Sequence, residues 1–95
     1  MPKVILVGDI GTGHNGYHKS KVIEGSSNVT INKRKVARVG DALAPHSDAN
    51  HLPHTRRIAT GSSSVFINGK AVAIEGSKVD CGGVLIATDG TVNIG

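Results

Sequence analysis

Apolar residues along this chain alternate with their neighbours at a spacing of two. Val29-Thr30-Ile31, Val65-Phe66-Ile67 and Val92-Asn93-Ile94 each put β-branched side chains on one face of an extended segment. No stretch of ten or more residues carries a helical apolar stripe with caps, although residues 19–24 fit either period. The pattern predicts an all-β fold. Asn68-Gly69 is the pair favoured in a two-residue type I′ hairpin, because both central positions need a positive φ. Lys33 stands in the corresponding place earlier in the chain, which predicts either a longer turn or Asn32 in the left-handed region. Gly25-Ser26-Ser27 and Gly61-Ser62-Ser63 mark the preceding turns. Each unit is therefore predicted to be a three-stranded meander, for example 22–24, 28–32 and 35–39.

The pattern repeats. A shift of 36 lays residues 22–41 over 58–77 with nine of twenty identical, and a third, shorter copy runs from Leu85 to Gly95, where Thr91-Val92-Asn93-Ile94-Gly95 matches Ser64-Val65-Phe66-Ile67-Asn68. The period breaks in segments 8–19, 41–57 and 77–83, which hold all five histidines and the single cysteine. These segments are expected to be loops, and loops are where sites are usually built. They also align with one another. Val7-Gly8-Asp9-x4-His14 matches Val39-Gly40-Asp41-x4-His46, and Gly76-Ser77-x3-Cys81 occupies nearly the same place in the third unit. Three related loops would bring His14, His46 and Cys81 to a common pseudo-threefold axis.

Composition sharpens that reading. The chain has 95 residues, one small domain (1–95), and only Tyr17 and Phe66 are aromatic, so its core is thin. A domain of this size hides only about 60–65% of its unfolded surface, and small scaffolds commonly add a disulfide, a metal or a partner chain. With Cys81 alone an internal disulfide is impossible. Metal or assembly remains. Cys sulfur and His nitrogen are the donors Zn²⁺ favours in closed four-ligand structural sites. Residues 50–54, Asn-His-Leu-Pro-His, offer His54 or His51 as the fourth ligand. Pro53 and the eight-residue return from His46 favour His54. His18 is read as an exposed loop residue, and Asp9 and Asp41 as turn caps.

The net charge of +4 points to an anionic partner only in principle. Basic residues are dispersed, apart from Lys33-Arg34-Lys35 and Arg56-Arg57, and no aromatic residues interleave with them to stack on bases. A small zinc-binding adaptor or nucleic-acid-binding module is the alternative function. Gly11-x-Gly13 with Gly16 lacks the strand-to-helix setting and the Lys-Ser/Thr of a phosphate loop, and no serine sits in a nucleophile elbow. No enzymatic activity is expected. No secretory h-region and no apolar run of membrane-spanning length is present, so synthesis in the cytoplasm without a signal peptide is the expectation.

Val-Gly-Asp at the head of a loop, Gly-Ser-Ser-x-Val-x-Ile-Asn-Gly-Lys in the middle and Cys-Gly-Gly near the end together resemble the PAAR-repeat family, over nearly the whole chain from Val7 to Gly95. The name-giving tetrapeptide stands here as Lys35-Val36-Ala37-Arg38 and, more eroded, as Ala71-Val72-Ala73-Ile74. The resemblance implies a small cone of β-hairpins capping the trimeric β-helical spike (VgrG-like, or a phage central spike) of a type VI secretion system or contractile phage tail. One tip would sit on each trimer, without an appended effector, and be delivered outward as a rigid point for piercing an envelope. It also implies one structural Zn²⁺ held by three His and one Cys, positions that fall on His14, His46, His54 and Cys81. Val65, Ile67 and Val92 are the expected contacts with the spike.

Overall fold

Three short extended segments, each followed by the same tight turn, organise the molecule. The computed structural model describes residues 2–13, 18–48 and 51–88, the side chains of 47–48 and 51–54 excepted. Val92 and the rest of the third copy beyond Thr88 lie outside the described residues. Ile5 N–H donates to Ala73 C=O, Ala37 N–H to Ile5 C=O and Ala73 N–H to Ala37 C=O, which closes a ring of three backbone hydrogen bonds at 2.9–3.0 Å. Isolated antiparallel bridges Val4–Ile74, Leu6–Val36 and Arg38–Val72 extend the same junction.

Each segment then turns at a glycine with positive φ: Gly8 at 100°, Gly40 at 93° and Gly76 at 91°. Glycine suits this place because it reaches that region without a steric penalty. The next residue closes the turn with its side chain. Leu6 N–H donates to Asp9 Oδ2 at 2.8 Å, Arg38 N–H to Asp41 Oδ2 at 2.8 Å and Ile74 N–H to Ser77 Oγ at 3.0 Å. The capping roles expected of Asp9 and Asp41 are thus present, and Ser77 does the same work in the third unit.

From each turn the chain makes an excursion and returns to it. Gly8, Gly40 and Gly76 donate their N–H groups to the carbonyls of Val22, Ile58 and Leu85, where the three excursions come back. The first contains β1 (Ile10–Gly11) and β2 (Ser20–Lys21), and the second β5 (Ala42–Asp48) and β6 (His51–Arg57). The third closes through the Lys78–Val84 bridge and leads into β9 (Leu85–Ile86). Consecutive excursions pair with one another: Val22 with Leu43, Ile58 with Val79, and β9 with β1, which gives the sheet order β2-β1-β9.

Two hairpins complete the described architecture, β3 (Thr30–Ile31) with β4 (Arg34–Lys35), and β7 (Phe66–Ile67) with β8 (Lys70–Ala71). The fold is all-β and built from several small sheets. The predicted three-stranded meanders are two-stranded here, because Val22 pairs with Leu43 of the next unit instead of its own hairpin. Segment 41–57, expected to be a loop, forms the longest strand pair among the described residues. Register shifts between Leu43 and His46 and between His46 and Asp48, together with Pro45 and Pro53, hide its period of two.

Apolar residues sort into two clusters. Ile5, Val22, Ala37, Leu43, Ile58, Ala73, Val79 and Leu85 fill the larger one between the excursions. Val4, Leu6, Val36 and Val72 form the smaller one, with Val29, Ile31, Val65 and Ile67 of the hairpins packed against it. The alternation Val4-Ile5-Leu6 sends neighbours to opposite clusters, as period two requires. The ring of hydrogen bonds lies between them.

Both hairpins have two-residue turns. Asn68 and Gly69 sit at φ 55° and 76°, and Asn32 and Lys33 at 51° and 66°, so Lys33 keeps the turn short at the expense of backbone strain. A left-handed non-glycine residue costs roughly 1–2 kcal/mol, part of which glycine gives back as chain entropy. Lys33→Gly should therefore stabilise the protein by about 0.5–1 kcal/mol, read as a rise of several degrees in Tm. An unchanged or lower Tm would show that the turn is not strained.

Candidate metal centre

The candidate ligands sit on the excursions. His46 lies in β5, is buried, and stands opposite His54 of β6 in the backbone register. His51 pairs instead with Asp48, at the end of the hairpin. Cys81 occupies the tight turn between Lys78 and Val84, where Gly82 and Gly83 have φ 113° and 90°. The fold brings two of the candidate ligands together: Cys81 Sγ lies 3.7 Å from His46 Nε2. Zinc–sulfur and zinc–nitrogen bonds of about 2.3 and 2.0–2.1 Å at a tetrahedral angle separate the two donors by ~3.6 Å, so this pair fits the spacing.

The imidazole of His46 is oriented for that role. Its Nδ1 is 2.7 Å from the carbonyl oxygen of His18, an atom that can only accept. Nδ1 therefore carries the hydrogen, and in the neutral ring Nε2 presents its lone pair on the side of Cys81. A ligating histidine commonly donates its other nitrogen to a carbonyl in this way. His18 itself is exposed, as expected, and contributes only its backbone.

Among the described residues no three His, Cys, Asp or Glu side chains converge on one space. His14 and the side chain of His54 lie outside the described residues. The donors that are described, one thiol and one correctly turned imidazole, are of the kind zinc prefers.

Sequence reasoning missed Arg56. The sequence shows it only as half of the basic pair Arg56-Arg57, yet its side chain is completely buried and its Nε–H donates to Cys81 Sγ at 3.3 Å. The signal available was its place in β6 two residues after His54, on a strand that the proline-broken pattern concealed.

A family model described as the PAAR motif matches residues 12–87 of this chain, most of its length. The chain belongs to the PAAR motif family. Two proteins of Pseudomonas aeruginosa are 41% identical to this PAAR chain over 66 residues: the NAD(P)(+) glycohydrolase toxin Tse6 and the (p)ppApp synthetase toxin Tas1. The match takes in 64% of the chain but only 15% of either relative.

The structure gives the family tetrapeptide a local meaning in this PAAR chain. Val36 and Ala37 are buried, one in each cluster, and Ala37 belongs to the ring of three hydrogen bonds. Arg38 grips Asp41 through two nitrogens, Nε to Oδ2 at 2.9 Å and Nη2 to Oδ1 at 3.0 Å, which braces the turn from which β5 departs. Of the expected spike contacts, Val65 and Ile67 are half-buried against the smaller cluster, and Val92 lies outside the described residues. Phe66, between them, turns the other way and is 60% exposed.

Proposed function

We propose that this chain is the tip of an injection spike: a pseudo-threefold cone whose hairpin end seats on a trimeric β-helical spike and whose excursions are pinned by one structural zinc. The closed ring formed by Ile5, Ala37 and Ala73 carries the proposal. Three equivalent steps in a single chain make a body suited to a threefold surface, and the three like-built turns at Gly8, Gly40 and Gly76 support the same symmetry. A trimeric β-helix ends in unpaired strand edges and apolar side chains, both unfavourable in water. A cap built of three like units would cover them.

In this reading His14, His46, His54 and Cys81 hold the metal. Residues directly opposite in an antiparallel pair share a face, and the register of His54 on His46 favours it over His51. Bound there, zinc supplies cross-linking energy to three excursions that share a small core. The role is structural rather than catalytic. The two relatives are named for toxin activities, and a tip that seats a longer protein's remaining segments on a spike is compatible with the 15% share that matches.

The test is a mixture of this chain with a trimeric β-helical spike protein, sized by light scattering. A complex of one tip per three spike chains is expected. Phe66→Asp should weaken it by about 30-fold or more, since exposed aromatic anchors at interface centres are commonly worth ~2 kcal/mol, while zinc content stays the same. Val65→Asp is the less clean variant, because Val65 also packs against Val36 and its neighbours. A stable homotrimer of this chain with no affinity for spike trimers would overturn the proposal.

A further inference from the structure

Among the described residues Arg56 has the largest fully buried side chain. Its side chain is fully buried, and all five of its N–H donors are used. Nε serves Cys81 Sγ at 3.3 Å. Nη1 serves Gly11 C=O at 3.2 Å and Ser20 Oγ at 3.0 Å. Nη2 serves the carbonyls of Thr12 and, at 3.2 Å, Gly82. A guanidinium stays charged in proteins, and a buried charge is costly unless an opposite charge accompanies it. Three of these acceptors are backbone carbonyls and one is a hydroxyl. Only the sulfur of Cys81 can bear a negative charge, as it does when bound to a metal.

The surroundings are shaped to admit this side chain. A methyl group at Gly83 would collide with Thr12 and come within 3.1 Å of Arg56 Nη2, at a φ of 90° that other residues avoid. At Gly11, whose carbonyl is one acceptor, a methyl group would displace the end of the Leu43 side chain. The guanidinium thus joins the first excursion, β6 and the Cys81 turn, three pieces of chain that each carry a candidate ligand.

We propose that Arg56 is the positioning residue of the metal centre: it fixes the Cys81 turn against the other two excursions and hydrogen-bonds the sulfur that the metal takes. This inference rests on the zinc reading above. Arg56 touches no metal itself. It acts through Cys81, by lowering the energy of the sulfur lone pairs and by holding the loop before metal arrives.

Cobalt(II) in place of zinc makes both effects visible in the full chain. Wild-type protein should show the visible bands of tetrahedral cobalt and a sulfur-to-cobalt charge-transfer band. Arg56→Met should bind cobalt about 10–100-fold more weakly in competition with a chelator, the usual consequence of removing a group that supports a ligand. Its charge-transfer band should move to lower energy, because the sulfur loses a hydrogen bond. A purely packing role would leave that band in place. If circular dichroism shows that Arg56→Met does not fold, Arg56→Lys, which keeps the charge and loses the fork, is measured for the same two shifts. Arg57→Met, at an exposed neighbour paired with Glu24, should change neither. Unchanged affinity and band position in the folded Arg56 variant would overturn this inference and leave the zinc reading standing. Failure of the wild type to bind cobalt at all would overturn the zinc reading, and this inference with it.

Discussion

Treated with a strong chelator, the purified protein should lose one zinc per chain and with it several kcal/mol of stability. The expectation follows from how little else holds the excursions. The larger cluster contains no aromatic residue, and two of its eight members are alanines. Structural zinc sites contribute folding energy outright. A loss of even ~3 kcal/mol would lower Tm by roughly 15 °C in a domain this small. Elemental analysis and a melting curve, with and without chelator, decide the matter: a well-folded, metal-free preparation with an unchanged Tm would remove the zinc from the molecule. The ligands should rank themselves in the same experiment. Cys81→Ser, His14→Ala, His46→Ala and His54→Ala should each lower the zinc content severely. His18→Ala should not, since only its backbone carbonyl meets His46. Loss of zinc in His51→Ala but not in His54→Ala would exchange the fourth ligand.

The parts of this molecule that repeat were legible in the sequence. The shift of 36 that aligns Gly25-Ser26-Ser27 with Gly61-Ser62-Ser63 reappears as equal hydrogen bonding. Ser26 and Ser62 donate their N–H groups to Val36 and Val72, and their hydroxyls accept from Val29 and Val65. The turn at Asn68-Gly69 was likewise readable, because its residues have few other uses. What the chain concealed was pairing between units. Period two says that Val22 is extended but not that its partner is Leu43. Bulges and prolines erased the alternation in residues 42–57, so a strand pair carrying His46 and His54 passed for a loop. Arg56 was invisible for a related reason: a buried arginine and a surface arginine look alike until the acceptors around them are known.

Replacing Asp9 should be among the most damaging single changes outside the candidate metal centre. Its side chain is 99% buried from solvent, and its two carboxylate oxygens serve distant parts of the chain. Oδ2 takes Leu6 N–H, while Oδ1 takes Arg34 Nη2 at 2.5 Å and both the N–H and the hydroxyl of Thr88. One residue thereby joins the first turn, the first hairpin and the segment after β9. Burial by itself pushes this carboxyl up, but the hydrogen bonds from Leu6, Thr88 and Arg34 outweigh it and hold the group below the ordinary carboxylate value. A carboxyl depressed in the folded state contributes stability that is present above its unfolded pKa of about 3.9 and is lost as pH falls through the folded value. Asp9→Ala should therefore cost roughly 3 kcal/mol at neutral pH, near the lower end for breaking a buried pair because Arg34 keeps some access to water. The difference from wild type should shrink below pH 4. Denaturant unfolding at pH 7 and at pH 3 measures both. A cost at pH 3 as large as that at pH 7 would show that Asp9 acts through its shape and not through its charge.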